Sequence, residues 1–136
     1  MEQTSEVTGE TEGSNVVVSR TIPQPVKVIW DVLMTSEGAE ALLGPGAQLG
    51  AKGHTWQSHD GRQGVIRSFH PLEEIRFSWR LNDSGSPTMV AVELAPSGEK
   101  STQVQIIHSN LAPSADRAWV RDRWSAALDR IESDCL

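Results

Sequence analysis

Between Gln48 and Asn110 the sequence repeats with a period of two, interrupted only by short turns. Glu74 to Leu81 is the clearest stretch. Ile75, Phe77, Trp79 and Leu81 fall on one side, and Glu74, Arg76, Ser78 and Arg80 on the other. Successive side chains of a strand point to opposite faces, so this is a strand with one apolar and one wet face. His54–Ser58 and Gly64–His70 flank the turn His59-Asp60-Gly61. Thr88–Leu94 aligns Val90, Val92 and Leu94, and the next segment aligns Thr102, Val104, Ile106 and His108. Pro71-Leu72, Asn82-Asp83-Ser84-Gly85 and Pro96-Ser97-Gly98 supply the turns. Strands joined in this way make an antiparallel meander, and its apolar face must be covered.

The cover comes from the other period in the chain. Val120, Trp124, Ala127, Leu128 and Ile131 recur at helical spacing, with Ser114 as a cap, which predicts a long C-terminal helix. At the other end, Val16, Val18 and Ile22 predict a first strand, closed by Pro23 and Pro25. Val26, Ile29, Trp30 and Leu33 predict a short helix, and Ser36 to Leu43 a second, with Ser36 as its cap. The expected architecture is α+β: a curved antiparallel sheet of about six strands around a long C-terminal helix, with two short helices after the first strand. A curved sheet and a helix leave room for an apolar pocket between them.

With 136 residues the chain suits one domain. Residues 1–14 hold Glu2, Glu6, Glu10 and Glu12 and no basic residue, and read as a disordered acidic tail; residues 15–136 read as the domain. A net charge of −6 argues against nucleic acid as a partner. No run is long and apolar enough for membrane insertion, and the N-terminus lacks the features of a signal peptide. The lone Cys135 excludes an internal disulfide framework, so a cytoplasmic location is expected.

Three further sets of residues carry a resemblance. Arg20-Thr21-Ile22-Pro23 is followed by Val28-Ile29-Trp30-Asp31; Gly64-Val65 leads into Ile75-Arg76-Phe77-Ser78-Trp79; Gln103–His108 precedes the closing run Trp124–Ile131. In this order and spacing they resemble the START-like, or SRPBCC, superfamily with the helix-grip fold. Within it they resemble the branch of homologues of the heat-shock protein 90 ATPase activator's C-terminal domain. The resemblance spans Asn15 to Ser133 and implies a ligand cavity between sheet and helix. The family's tryptophan near the end of the second helix is replaced here by Ala41-Leu42-Leu43, and the sheet starts with a shortened segment, Gly50–Trp56.

Five Trp, two Phe and no Tyr make tryptophan the unusual usage. Trp56, Phe77, Trp79, Val92, Ile106 and Trp124 are positioned either to fill the core or to line a cavity that takes a flat apolar ligand. Trp119 lies off the main stripe, as a roof to the cavity entrance or at the surface. His108 either orients a ligand, with a pKa near the neutral range, or is a hydrogen-bonded core histidine. If Phe69 points inward, strict alternation turns Arg67 inward with it, where a guanidinium needs an anion. In the opposite phase Ile66 and Ser68 point inward and Arg67 is solvated. His54, His59 and Asp60 match no zinc spacing, so no metal and no cofactor is expected. No nucleophile elbow, phosphate loop or dinucleotide fingerprint occurs.

The expected function is a non-enzymatic binding module that encloses a small hydrophobic or amphipathic molecule. Two alternatives remain: an enzyme of the cyclase or hydratase type, using His108 or Arg67 on a carbonyl, and a co-chaperone-like module with a protein partner. No second domain of the kind the eukaryotic activator carries is expected, which counts against full co-chaperone action. Oligomeric state is left open.

Overall fold

The computed structural model describes residues 11–12, 15–80, 87–111 and 116–136. The elements are β1 (Thr11–Glu12), β2 (Asn15–Ile22), α1 (Val26–Leu33), α2 (Ser36–Leu43), β3 (Thr55–Gln57), β4 (Gln63–His70), β5 (Glu74–Trp79), β6 (Thr88–Pro96), β7 (Thr102–Ser109) and α3 (Arg117–Arg130). A π-helical turn, Ile131–Cys135, continues α3. All neighbouring strands are antiparallel, in the order β1-β2-β7-β6-β5-β4-β3. This is the curved α+β sheet with a C-terminal helix that the sequence predicts. Within the expected tail, Thr11 and Glu12 pair with Val16 and Asn15. The rest of 1–14, the expected turn at 82–85, Leu81 and Ser114 lie outside the described residues.

The apolar positions of each strand end on one face, as their alternation requires. Val16, Val18, Ile75, Phe77, Val90, Val92, Val104 and Ile106 are all buried. Against them α3 sets Val120, Trp124, Ala127 and Leu128, and Ile131 continues the stripe. The caps differ by a residue or two from expectation. Thr35, not Ser36, caps α2: its hydroxyl accepts from the Gly38 N–H at 3.1 Å. Asp116 caps α3, accepting from the Trp119 N–H at 3.0 Å. Arg20 sits on the inner face between Val18 and Ile22. It escapes burial at the sheet's end by pairing with Asp129 at 2.6 Å and Glu132 at 3.5 Å, which ties the first long strand to the last helix.

Two local features of β4 decide which side chains face inward. Gly64 allows close packing: a Cβ there would lie 1.8 Å from the Ser78 carbonyl oxygen and 2.7 Å from Trp56 Nε1. Its absence lets the Trp56 indole donate to that same carbonyl at 3.1 Å. Further along, the register against β5 slips between Ile66 and Ser68, a bulge at Arg67. The extra residue resets the alternation, so Ile66 is buried, Phe69 packs on the core and Arg67 is exposed. The expectation that Arg67 faces a cavity is thereby corrected.

Candidate functional site

β5, β7 and α3 bring three aromatic side chains together at one end of the domain. The Trp124 indole donates to His108 Nδ1 at 3.0 Å. His108 Nε2 lies 2.6 Å from the Thr88 hydroxyl, and that hydroxyl donates to the Trp79 carbonyl at 2.9 Å. A hydroxyl that donates to a carbonyl accepts from the imidazole, so the chain of bonds assigns the proton to Nε2 and the lone pair to Nδ1. His108 is therefore neutral and fully satisfied, 1% exposed. Burial, with a smaller push from Arg123, lowers its pKa to about 4. The rings meet edge to face, Trp79 at 5.2 Å and Trp124 at 5.9 Å from the imidazole.

Arg123 covers this cluster. Its guanidinium carbon is 5.5 Å from the Trp79 ring centre and 5.4 Å from that of Trp124, in cation–π range of both. One of its terminal nitrogens donates to the Leu43 carbonyl at 3.3 Å. Burial, then the charge of Arg62, lowers the pKa of Arg123, against an opposing pull from Asp60. A guanidinium does not lose its proton near neutrality, so Arg123 stays a cation that is partly buried and faces the like charge of Arg62. Arg62 lies over Trp119, 5.8 Å from its ring centre, and donates to the Asp60 carbonyl oxygen at 3.2 Å. The Asp60 carboxylate accepts from the Ser58 hydroxyl. Partial burial alone would raise its pKa, but Ser58, Arg62 and Arg123 together bring it below the usual value.

A cleft of about 470 Å³ opens between α2 and α3 beside this assembly. Leu42 and Ala127 contribute apolar wall, Trp119 and Arg123 flank it, and Glu40 and Asp60 carry charge at its edge. Trp119 is 43% exposed. Among the described residues, Arg123 Nε in the cleft wall and Trp79 Nε1 and Arg62 Nε beside it are buried with no acceptor.

The residues expected to form a site divide accordingly. Trp119 lines the cleft, and Trp79 and Trp124 meet it through Arg123. Trp56 and Phe77 form an edge-to-face pair at 5.9 Å inside the core, and Val92 and Ile106 are buried there too. Phe69 packs on Trp30 at 5.5 Å. Neither residue needed by the cyclase or hydratase alternative is placed for it: both nitrogens of His108 are occupied and Arg67 is on the outside of a bulge. Arg62 and Arg123 were not singled out from the sequence. A signal for Arg123 exists, since Trp119, Arg123, Ala126 and Arg130 follow helical spacing and form a second stripe beside the core stripe. Among the described residues, no cluster of three or more His, Cys, Asp or Glu could hold a metal, and no helix is long and apolar enough to cross a membrane.

Residues 21–133 match the family described as Activator of Hsp90 ATPase homolog 1-like protein. Protein MLL2253 from Mesorhizobium loti is similar in structure, with TM-score 0.75 and 21% identity over 87% of this chain and 93% of that one. An HSP90 activator from Plasmodium falciparum gives TM-score 0.74 and 16% identity over 88% and 94%. DynU16, from the dynemicin biosynthetic locus, gives TM-score 0.73 and 17% identity over 90% of this chain but 48% of its own. At these identities the likeness is one of fold. Among curated proteins no sequence matches significantly.

Proposed function

The chain belongs to the family of Activator of Hsp90 ATPase homolog 1-like proteins, and from that membership we propose a non-enzymatic binding module for a small hydrophobic or amphipathic molecule. The observation that carries the reading is the cleft between α2 and α3. Its volume, about 470 Å³, is in the range of small-molecule sites, and it is edged by an aromatic ring that the core leaves 43% exposed. An indole in that position offers area and stacking to a flat apolar body. The proposed seat is beside α3 and not beneath it, because Trp124, His108 and Phe77 already occupy the space between sheet and helix.

The test is a titration with naphthalene-based probes, one neutral and one anionic, read by tryptophan emission. The expected result is saturable binding of at least one probe, one site per chain, weakened in Trp119→Ala. Failure of both probes to bind folded protein at micromolar concentration overturns the reading.

A second reading, a co-chaperone-like module, is favoured by the outer face of the sheet. Met89, Ala91 and Ile107 are only half-buried there, around a shallow groove of about 220 Å³. Membership of the family and the Plasmodium activator's similarity lend it support. It expects stimulation of an Hsp90 ATPase that Ile107→Asp abolishes.

A further inference from the structure

The cleft between α2 and α3 is lined by Glu40, Asp60 and Asp122 and by Arg123 and Arg130, and Arg62 lies beside it over Trp119. Buried polar atoms are nearly always paired, and leaving one unpaired is costly. Yet Arg123 Nε, Arg62 Nε and Trp79 Nε1 are buried without a partner among the described residues. All three are donors, and they are neighbours: Arg123 lies over the Trp79 ring, and the charge of Arg62 acts on Arg123. What these three atoms lack, among the described residues, is an acceptor.

Charge points the same way. Asp60 pairs with Arg62 at 3.8 Å and also takes the Ser58 hydroxyl, while Arg123 feels its charge without an ion-pair contact. Glu40 is engaged elsewhere, accepting from the Gly46 N–H at 2.9 Å. Asp122 is 79% exposed and lies 4.0 Å from Arg121. A guanidinium offers five donors. Among the described residues Arg123 gives one nitrogen to Leu43, and Arg62 gives one to Asp60. Both cations are already partly desolvated against indole rings, so an anion reaching them meets less competition from water than at an open surface.

We infer that this cleft takes an amphipathic molecule ending in an oxyanion, with the anionic head on Arg123 and Arg62 and the apolar body against Trp119. This rests on the binding-module reading and narrows it to one ligand chemistry. The planar fork of a guanidinium suits the two oxygens of a carboxylate and equally those of a phosphate. Leu42 and Ala127 supply the apolar wall for the remainder.

The test compares 8-anilinonaphthalene-1-sulfonate with N-phenyl-1-naphthylamine, the same ring system without the sulfonate. The anionic probe is expected to bind at least about tenfold more tightly, and Arg123→Gln to erase that preference. Because Arg123 also packs on two indoles, Arg62→Gln is measured in parallel and is expected to reduce the preference without loss of the circular-dichroism signal. Displacement by decanoate or by decyl phosphate supports the inference and assigns the head group. Equal affinity for the two probes overturns the anion and leaves the binding module standing. A preference that survives both substitutions overturns the assignment to these arginines. Absence of binding by either probe removes both readings together.

Discussion

His108 spans two elements with its two nitrogens, and that arrangement makes the fold sensitive to protons at a single atom. In the unfolded chain an imidazole titrates near 6.5; in the fold the value is about 4. Above pH 7 both states are neutral and the group contributes no pH dependence. As pH falls from about 6.5 to about 4, the unfolded state takes up a proton that the native state refuses, and stability declines. The total is on the order of 3 kcal/mol, levelling off below the folded value. The other three histidines are exposed. His108→Gln, which keeps an acceptor and a donor but cannot be charged, is expected to flatten this acid limb in urea unfolding measured in pH steps. An unchanged slope in the variant would assign the limb to other groups. Both readings of this residue were open in the sequence, because period two gives its face but not its partners: Thr88 is 20 residues away and Trp124 is 16.

Among the elements, the strand pairs show where alternation is a sufficient guide and where it fails. β5, β6 and β7 keep unbroken register, and every apolar position predicted from them is buried among the described residues. β4 does not, because one residue is inserted at Arg67. Each phase of the alternation described half of the strand: Ile66 inward before the bulge, Phe69 inward after it. Nothing in a single strand's pattern marks the residue that its partner skips. The outer face carries a different conflict. Glu74 lies directly opposite Glu93, and partial burial, followed by the hydrogen bond and charge of Glu74, raises the Glu93 pKa. A raised carboxyl pKa favours the fold at low pH, and that advantage is lost as pH rises through the folded value. Glu93→Gln is therefore expected to stabilise the protein at pH 7 by a few tenths to about 1 kcal/mol. The gain should shrink toward pH 4, where the pair shares protons. Melting curves at the two values check this; a lower melting temperature at pH 7 would show that Arg76 already neutralises the pair.

For the whole molecule, the order of strands and helices was legible because each element carries its own period, and a single long amphipathic helix leaves only one way to cover the sheet. The cleft was not legible, because α2 and α3 are separated by five strands and their spacing is a product of packing. Arg62 enters from a turn, where no periodicity operates. The same separation governs how the ends of the fold are held. β2 pairs with β7 from Val16 opposite His108 to Ile22 opposite Thr102, and Arg20 reaches a carboxylate 112 residues away. Arg20→Met should cost up to about 1 kcal/mol, most at low salt, since the pairs are partly exposed. Loss of stability that is indifferent to salt would mean that the arginine acts through its aliphatic stem.

Synthesis runs from β2 toward α3. While a ribosome is still making the meander, the apolar face of β2 has neither its neighbour strand nor its covering helix. Closing so long a loop sets a substantial entropic barrier before any of its contacts form. The hairpins of the meander can pair as they emerge, but β2 keeps one open edge and an uncovered face until β7 and α3 have been made.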